Sequence, residues 1–223
     1  MAELVLVLGE SGSGKSLSIR DLPHEKTFLI QATKKMLPFK GGSKKYSLIT
    51  KENPDGNLYV SDSSPTIVKI LKKINENKDL KYIIIDDMQY TMLNSFMKKI
   101  RIKVSGGEAF EKYNELAADY NDIINCILED IRDNIIVFVI THIERDDFGQ
   151  VSIKTVGKLV REKIKIEGKS SIVIMSDVQD GNYTFITNGI EPCKTPLGMF
   201  EEASIPNDLN LVAQAIEKFK EEM

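Results

Sequence analysis

Cysteine and histidine are scarce in this chain, two of each among 223 residues. Cys126 and Cys193 lie far apart without metal-ligand spacing, and with only His24 and His142 beside them they argue against a zinc site. Two isolated thiols suit a reducing cytoplasm. No run approaches the roughly 20 apolar residues of a membrane-spanning helix, and MAELVLVLGE has no basic segment ahead of its short apolar stretch, so neither a span nor a secretory signal is expected. An excess of positive charge is missing too: 30 Lys and Arg stand against 33 Asp and Glu. Bulk charge therefore does not mark a nucleic-acid binder, and any such contact must come from local patches. No linker, internal repeat or low-complexity segment divides the chain. Its length suits one domain over 1–223, with a core over about 1–145 and a C-terminal hairpin and helix over about 150–223.

What the chain does have is alternation. Glu3 to Leu8, Thr27 to Ile30, Leu58 to Val60, Lys81 to Asp86 and Asn134 to Ile140 are short apolar, β-prone runs. Helices are expected between them: Lys15 to about Asp21, stopped by Pro23; Ser64, as N-cap ahead of Pro65, to about Asn77; Tyr90 to Arg101; and Phe110 to Arg132. Strands that are apolar throughout are buried on both faces, as in a parallel sheet. Ile172 to Ser176 and Tyr183 to Thr187 flank Gln179-Asp180-Gly181-Asn182, a strong hairpin signal, and Asp208 to Lys220 reads as a last amphipathic helix. The expected fold class is α/β, a mostly parallel sheet flanked by helices with a C-terminal antiparallel hairpin at its edge.

Gly9-Glu10-Ser11-Gly12-Ser13-Gly14-Lys15-Ser16 matches G-x-x-x-x-G-K-[ST] in full, between an expected strand and an expected helix. Glycines let the backbone turn tightly with successive N–H groups pointing inward, and those donors, with a helix N-terminus, suit phosphate oxygens. Lys15 can reach β- and γ-phosphates, and the Ser16 hydroxyl can ligate Mg²⁺. A second metal group is expected in Tyr82-Ile83-Ile84-Ile85-Asp86-Asp87, where a buried strand delivers acid to the C-terminal edge of the sheet. Asp86 is the candidate metal carboxylate. Asp87 either orients the attacking water or is a solvated turn residue. After the next strand, Thr141 or His142 is a candidate γ-phosphate sensor and Glu144 a candidate to polarise water; the alternative for His142 is a hydrogen-bonded histidine at a strand end.

Some shorter matches fail on context. Ser105-Gly106-Gly107-Glu108 resembles the signature loop of ABC ATPases but follows the acidic strand instead of preceding it. Asp147-Phe148-Gly149 spells the kinase metal motif without its companion motifs, and Asp146 to Gly149 spells D-x-x-G without an N-K-x-D guanine reader. ATP is therefore the expected nucleotide, with Mg²⁺.

The early glycine loop, the single acidic strand, the Thr-His pair and the hairpin resemble the RecA-like P-loop NTPase core. Lys194-Thr195-Pro196-Leu197-Gly198-Met199-Phe200, followed by Ile205-Pro206-Asn207-Asp208-Leu209, resembles the ending of small phage-encoded RecA-like, Sak-type recombination ATPases. That resemblance implies a Mg²⁺-dependent ATPase acting with single-stranded DNA and a single-stranded-DNA-binding protein in recombination or replication. It also implies a place in the host cytoplasm and a homo-oligomer, ring or filament, with ATP between subunits. Its DNA-facing loops would fall near Lys103 to Glu108 and Arg145 to Gly157. Lys98, Lys99 and Arg101 precede the first; Lys154, Lys158, Arg161, Lys163, Lys165 and Lys169 accompany the second. Such clusters can neutralise phosphates, or they can be solvated helix faces; they carry few aromatics for base stacking. Lys158 or Arg161 can alternatively enter a neighbour's site.

One feature of the family is missing. RecA-like recombinases often place a catalytic glutamate just after the second core strand, whereas Phe28-Leu29-Ile30-Gln31 leads here into Ala32-Thr33-Lys34-Lys35. The base must come from Asp87 or Glu144, or turnover is slow. Lys34, Lys35, Lys40, Lys44 and Lys45 are left to DNA, a partner or a subunit interface. Two further readings stand beside the ATPase. One is a P-loop phosphotransferase, opposed by the lack of clustered arginines among Arg20, Arg101, Arg132, Arg145 and Arg161. The other is a nucleotide-gated binding module.

Overall fold

The structure, a computed structural model, describes residues 1–100, 107–156 and 165–222. In chain order the elements are β1 (Glu3–Gly9), β2 (Thr27–Gln31), a short α1 (Gly42–Lys45), β3 (Leu58–Val60), α2 (Ser64–Ile74), β4 (Tyr82–Asp86), α3 (Gln89–Ile100), α4 (Gly107–Glu129), β5 (Ile136–Arg145), β6 (Val151–Ile153), β7 (Ile172–Gln179), β8 (Asn182–Ile186), β9 (Ser204–Pro206) and α5 (Leu209–Glu221). They build an α/β fold around a nine-stranded mixed sheet, ordered β3-β2-β4-β5-β1-β7-β8-β9, with β6 paired to β5. The six strands from β3 to β7 run parallel; β8, β9 and β6 join antiparallel. This is compatible with a Rossmann- or P-loop-type core.

The uninterrupted apolar strands have a simple cause: both faces of the sheet are covered. Leu4, Leu6, Leu8, Ile83, Ile85, Val137 and Val139 face one layer, where α2 contributes Ile67 and Leu71 and α4 contributes Leu116, Tyr120, Ile123 and Ile127 at helical spacing. Val5, Val7, Leu29, Ile84, Phe138, Ile140 and Ile174 face the other, closed by Leu209, Val212, Ala213 and Ile216 of α5. Asp208 caps that helix, its side chain accepting from the Asn210 amide at 2.8 Å. Among the described residues no helix is long and apolar enough to cross a membrane.

The structure corrects several expectations. The helix expected over Lys15 to Asp21 is a single 3₁₀ turn, Ser18–Asp21. Between the glycine loop and Pro23 there are too few residues to offset helix nucleation, and the Ser18 hydroxyl bonds back to the Lys15 carbonyl at 2.6 Å. The N-cap position of α2 falls on Ser63, one residue before Ser64. β5 does not stop at Ile140 but continues to Arg145, because β6 pairs with its end (Ile143 with Ile153, Glu144 with Ser152). Thr141, His142 and Glu144 therefore lie within a strand, not after one.

Candidate functional site

β5 lies between β1 and β4, so three chain segments end side by side. Gly9 is in register with His142, and Leu8 with Thr141; on the other side of β5, Ile85 is in register with Val139, one residue before Asp86. The glycine loop, the Thr-His pair and the two acids thus share the C-terminal edge of the parallel strands, where ligands of open α/β sheets bind. A cavity of about 500 Å³ opens there, lined among others by Gly14, Lys15, Ser16, Lys35, Asp87, His142 and Tyr183. That volume is in the ordinary range for a small-molecule site.

The loop holds its shape through left-handed glycines and internal bonds. Gly12 and Gly14 have φ of 81° and 95°. A Cβ at Gly14 would meet the Tyr183 ring at 2.6 Å. The Ser13 hydroxyl donates to the Glu10 carbonyl at 2.8 Å and stands 2.6 Å from the Ser176 hydroxyl. Lys15 is buried, its ammonium donating to the carbonyls of Gly9 (2.9 Å) and Glu10 (2.6 Å). With only a 3₁₀ turn behind the loop, the donors on offer to an anion are loop N–H groups and this ammonium, not a helix N-terminus.

Burial pulls the Lys15 pKa down to about 8, although Asp87 and Asp86 oppose it. An anion at this ammonium favours its charged form. Above the free-protein pKa binding must therefore take up a proton, and below it need not. Affinity for a phosphate-bearing ligand is expected to be flat below pH 8 and to fall above it, by up to about tenfold per pH unit. Calorimetry in buffers of different ionisation enthalpy would register proton uptake at pH 9 and little at pH 7; no uptake at pH 9 would show that Lys15 is not the anion's partner.

Opposite Lys15, the Ser16 hydroxyl meets Asp86 Oδ1 at 3.0 Å. Asp86 is fully buried, and burial drives its pKa up against the restraining charge of Lys35. Lys35, from the irregular stretch after β2, inserts its ammonium between these groups: 2.9 Å from Ser16 Oγ, 3.2 Å from Asp86 Oδ2 and 2.6 Å from Asp87 Oδ2. Asp87 has a left-handed backbone, φ 62°, uncommon outside glycine. Its Oδ1 lies 3.6 Å from His142 Nε2, and Gln89 links the two, its amide Nε2 donating to Asp87 Oδ1 at 3.5 Å and its Oε1 accepting from the His142 backbone at 3.3 Å. Burial would raise the Asp87 pKa, but His142 and Lys35 outweigh it and hold the carboxyl at about 2.

The other expected residues divide. Gly9 to Ser16, Asp86, Asp87 and His142 come together. Thr141 is fully buried on the opposite face of β5 and does not line the cavity. Glu144 lies two residues beyond His142 on the same strand, paired in register with Ser152, and is also outside the cavity lining. Of the basic residues, Lys98 pairs with Asp62 (2.9 Å) and Lys99 with Glu115 (2.6 Å), while Lys169 donates to Asn121 and Asn125 of α4. Lys154 is exposed beside the β5–β6 hairpin. Arg101, Lys103, Lys158, Arg161 and Lys163 lie outside the described residues. Lys35, Gln89 and Tyr183 were not singled out for the site by their sequence context. Lys35 is one of several lysines in one loop, and Tyr183 arrives from the far end of the chain.

The donors suit a hard cation. Among the described residues no group of three or more His, Cys, Asp or Glu side chains is arranged to hold a metal by itself. Mg²⁺ would instead rest on Ser16, Asp86, phosphate oxygens and water, its usual company in nucleotide sites. Gln31, the register partner of Asp86, has a buried side-chain amide without a hydrogen-bond partner among the described residues, unspent polarity beside that seat. Compared with known proteins, the chain matches no protein-family model and no curated sequence.

Proposed function

We propose that this protein binds ATP with Mg²⁺ and hydrolyses it slowly, as a RecA-like ATPase acting with single-stranded DNA in recombination or replication. The observation that carries the nucleotide part is the meeting of Lys15 and Ser16 on one cavity at the sheet's C-terminal edge, with Asp86 behind it accepting from the Ser16 hydroxyl at 3.0 Å. Lys15 and the loop amides hold the phosphates. Ser16 and Asp86 hold the metal, which when bound neutralises charge developing on the transferred phosphoryl group. Asp87, just after β4, and His142, in β5, line the same cavity, which supports a part for them in orienting a water molecule. With its pKa near 2, Asp87 is a weak base at neutral pH, so its part is orientation and turnover without a partner is slow. The central β5 brings His142 between the glycine loop and the acids, which supports its reading as a γ-phosphate sensor. The DNA and oligomer parts of the reading rest on the resemblance of the glycine loop and of the 194–209 segment.

A second reading has its own observation. The position after β2 brings a lysine, Lys35, and no carboxylate to the site, which suits a module in which bound nucleotide sets a conformation for a partner and turnover is incidental. ATP hydrolysis by the purified protein, with and without single-stranded DNA at low and moderate salt, separates the two. Stimulation that fades with salt is expected for the ATPase. Tight ATP binding with turnover indifferent to DNA would replace it with the gated module, and absence of nucleotide binding would overturn both.

A further inference from the structure

Lys35 is the group in this site that neither motif accounts for. Its ammonium has three N–H donors and three acceptors around it: Ser16 Oγ at 2.9 Å, Asp86 Oδ2 at 3.2 Å and Asp87 Oδ2 at 2.6 Å. Two of those three, Ser16 and Asp86, are the side chains that the nucleotide reading assigns to Mg²⁺. Mg²⁺ takes oxygen ligands at about 2.1 Å in a near-octahedral shell. An ion so placed on Ser16 and Asp86 would share its volume with the lysine ammonium, and two cations cannot occupy one small, buried seat.

The segment that carries Lys35 leaves the lysine side chain room to swing outward. Residues 33–38 belong to neither helix nor strand. They are fixed at their two ends: the Ala32 amide donates to the Asp86 carbonyl at 3.0 Å, and Leu37 is buried in the core. Between these anchors Lys34 and Met36 are exposed, Met36 at 92%. Lys35 itself is one-third exposed, so a rotation of its long side chain carries the ammonium out toward solvent without disturbing either anchor.

We infer that Lys35 is the resident cation of the metal seat, a monovalent occupant that divalent metal must displace, so that metal binding and withdrawal of Lys35 are one event. The inference rests on the metal–nucleotide reading above and adds to it a residue that sets the apparent affinity for the ion. While the ammonium occupies the seat, only the fraction of molecules with Lys35 withdrawn can accept the metal, and the apparent affinity falls by that fraction. A lysine serving only as a structural ion pair makes the opposite prediction, because its loss leaves Asp86 and Asp87 disordered or protonated and weakens the seat.

The test is a titration of the full-length protein with Mn²⁺ alone, free ion read by electron paramagnetic resonance, for the wild type, Lys35→Met and Lys35→Arg. Circular dichroism and thermal unfolding of each establish that it is folded. Lys35→Met is expected to bind Mn²⁺ about tenfold more tightly than the wild type, and Lys35→Arg, which keeps the charge, to stay within about twofold of it. Equal or weaker Mn²⁺ binding by folded Lys35→Met, equal tightening by Lys35→Arg, or no Mn²⁺ retained by any of the three overturns the inference. Should Lys35→Met not fold, Lys35→Gln takes its place with the same expectation. A parallel titration with fluorescent ADP keeps the two claims apart. Failure of the wild type to bind it overturns the nucleotide reading, while the Mn²⁺ comparison still decides the role of Lys35.

Discussion

Replacing Lys15 by alanine is expected to weaken binding of Mg²⁺ with a non-hydrolysable ATP analogue roughly a hundredfold, about 3 kcal/mol, the scale for truncating one member of a buried charge-assisted pair. The ammonium is buried at the base of the loop and spends two of its donors on the Gly9 and Glu10 carbonyls, which aims it at the cavity. Lys15 is the one lysine of the Gly9–Ser16 loop, and Lys35, which also lines the cavity, reaches it from the stretch after β2. Fluorescent-nucleotide titration of the variant, with circular dichroism to establish folding, reads the effect. Wild-type affinity in a folded Lys15→Ala protein would remove the glycine loop from the site altogether.

Gly9→Ala acts on the frame that holds the loop. A Cβ at Gly9 would stand 2.2 Å from the Ser176 hydroxyl and 2.6 Å from that of Ser13, and 3.1 Å from the Ser176 carbonyl. Those two hydroxyls join the loop to β7, and Ser176 also donates to the Leu8 carbonyl at 3.1 Å. The methyl group must part them or push the strands apart. Overpacking of this kind costs about 2 kcal/mol. For a domain of this size that is a fall in Tm of roughly 4–8 °C. Ser176→Ala in the same chain removes the nearer obstacle and is expected to restore part of the loss. Calorimetric scans of the single and double variants check both steps, and an unchanged Tm in Gly9→Ala would mean that the loop yields without cost.

The parallel strands were legible because their cause is local: a strand covered on both faces has to be apolar throughout, and Tyr82 to Ile85 and Ile136 to Ile140 say so directly. Gln179-Asp180-Gly181-Asn182 announced its hairpin for a similar reason, since Asp180 and Gly181 adopt the positive φ that the turn requires. The glycine loop and the acids at Asp86 and Asp87 were legible as a motif and as a strand ending in charge. Strand order was not, because periodicity reports how a segment is covered and not which segment lies next to it; the insertion of β5 between β1 and β4 depends on partners about 50 and 130 residues away in sequence. The three-residue strands β6 and β9 are too short to show a period. Lys35 escaped for a different reason. Lys34 and Lys40 in the same stretch and Lys44 in α1 are chemically identical and exposed, and only the path from Ala32 to Leu37 singles it out.

The wall behind Gly14 has an implication for how the site is made. Its glycine loop is synthesised well before its partners: Tyr183, which packs against Gly14, and the Asn207 carbonyl, which takes a bond from Arg20 at 2.7 Å, follow it far along the chain, the latter 187 residues after Arg20. A nascent chain emerges N-terminus first and must keep its early segments uncommitted until distant partners arrive. The loop is therefore complete in sequence long before it is framed in space, and the cavity at its mouth takes shape only once residues 183 and 207 have folded back onto it. Under the nucleotide reading, protection from protease by added nucleotide would report the closing of this long-range circuit as well as the strength of the grip.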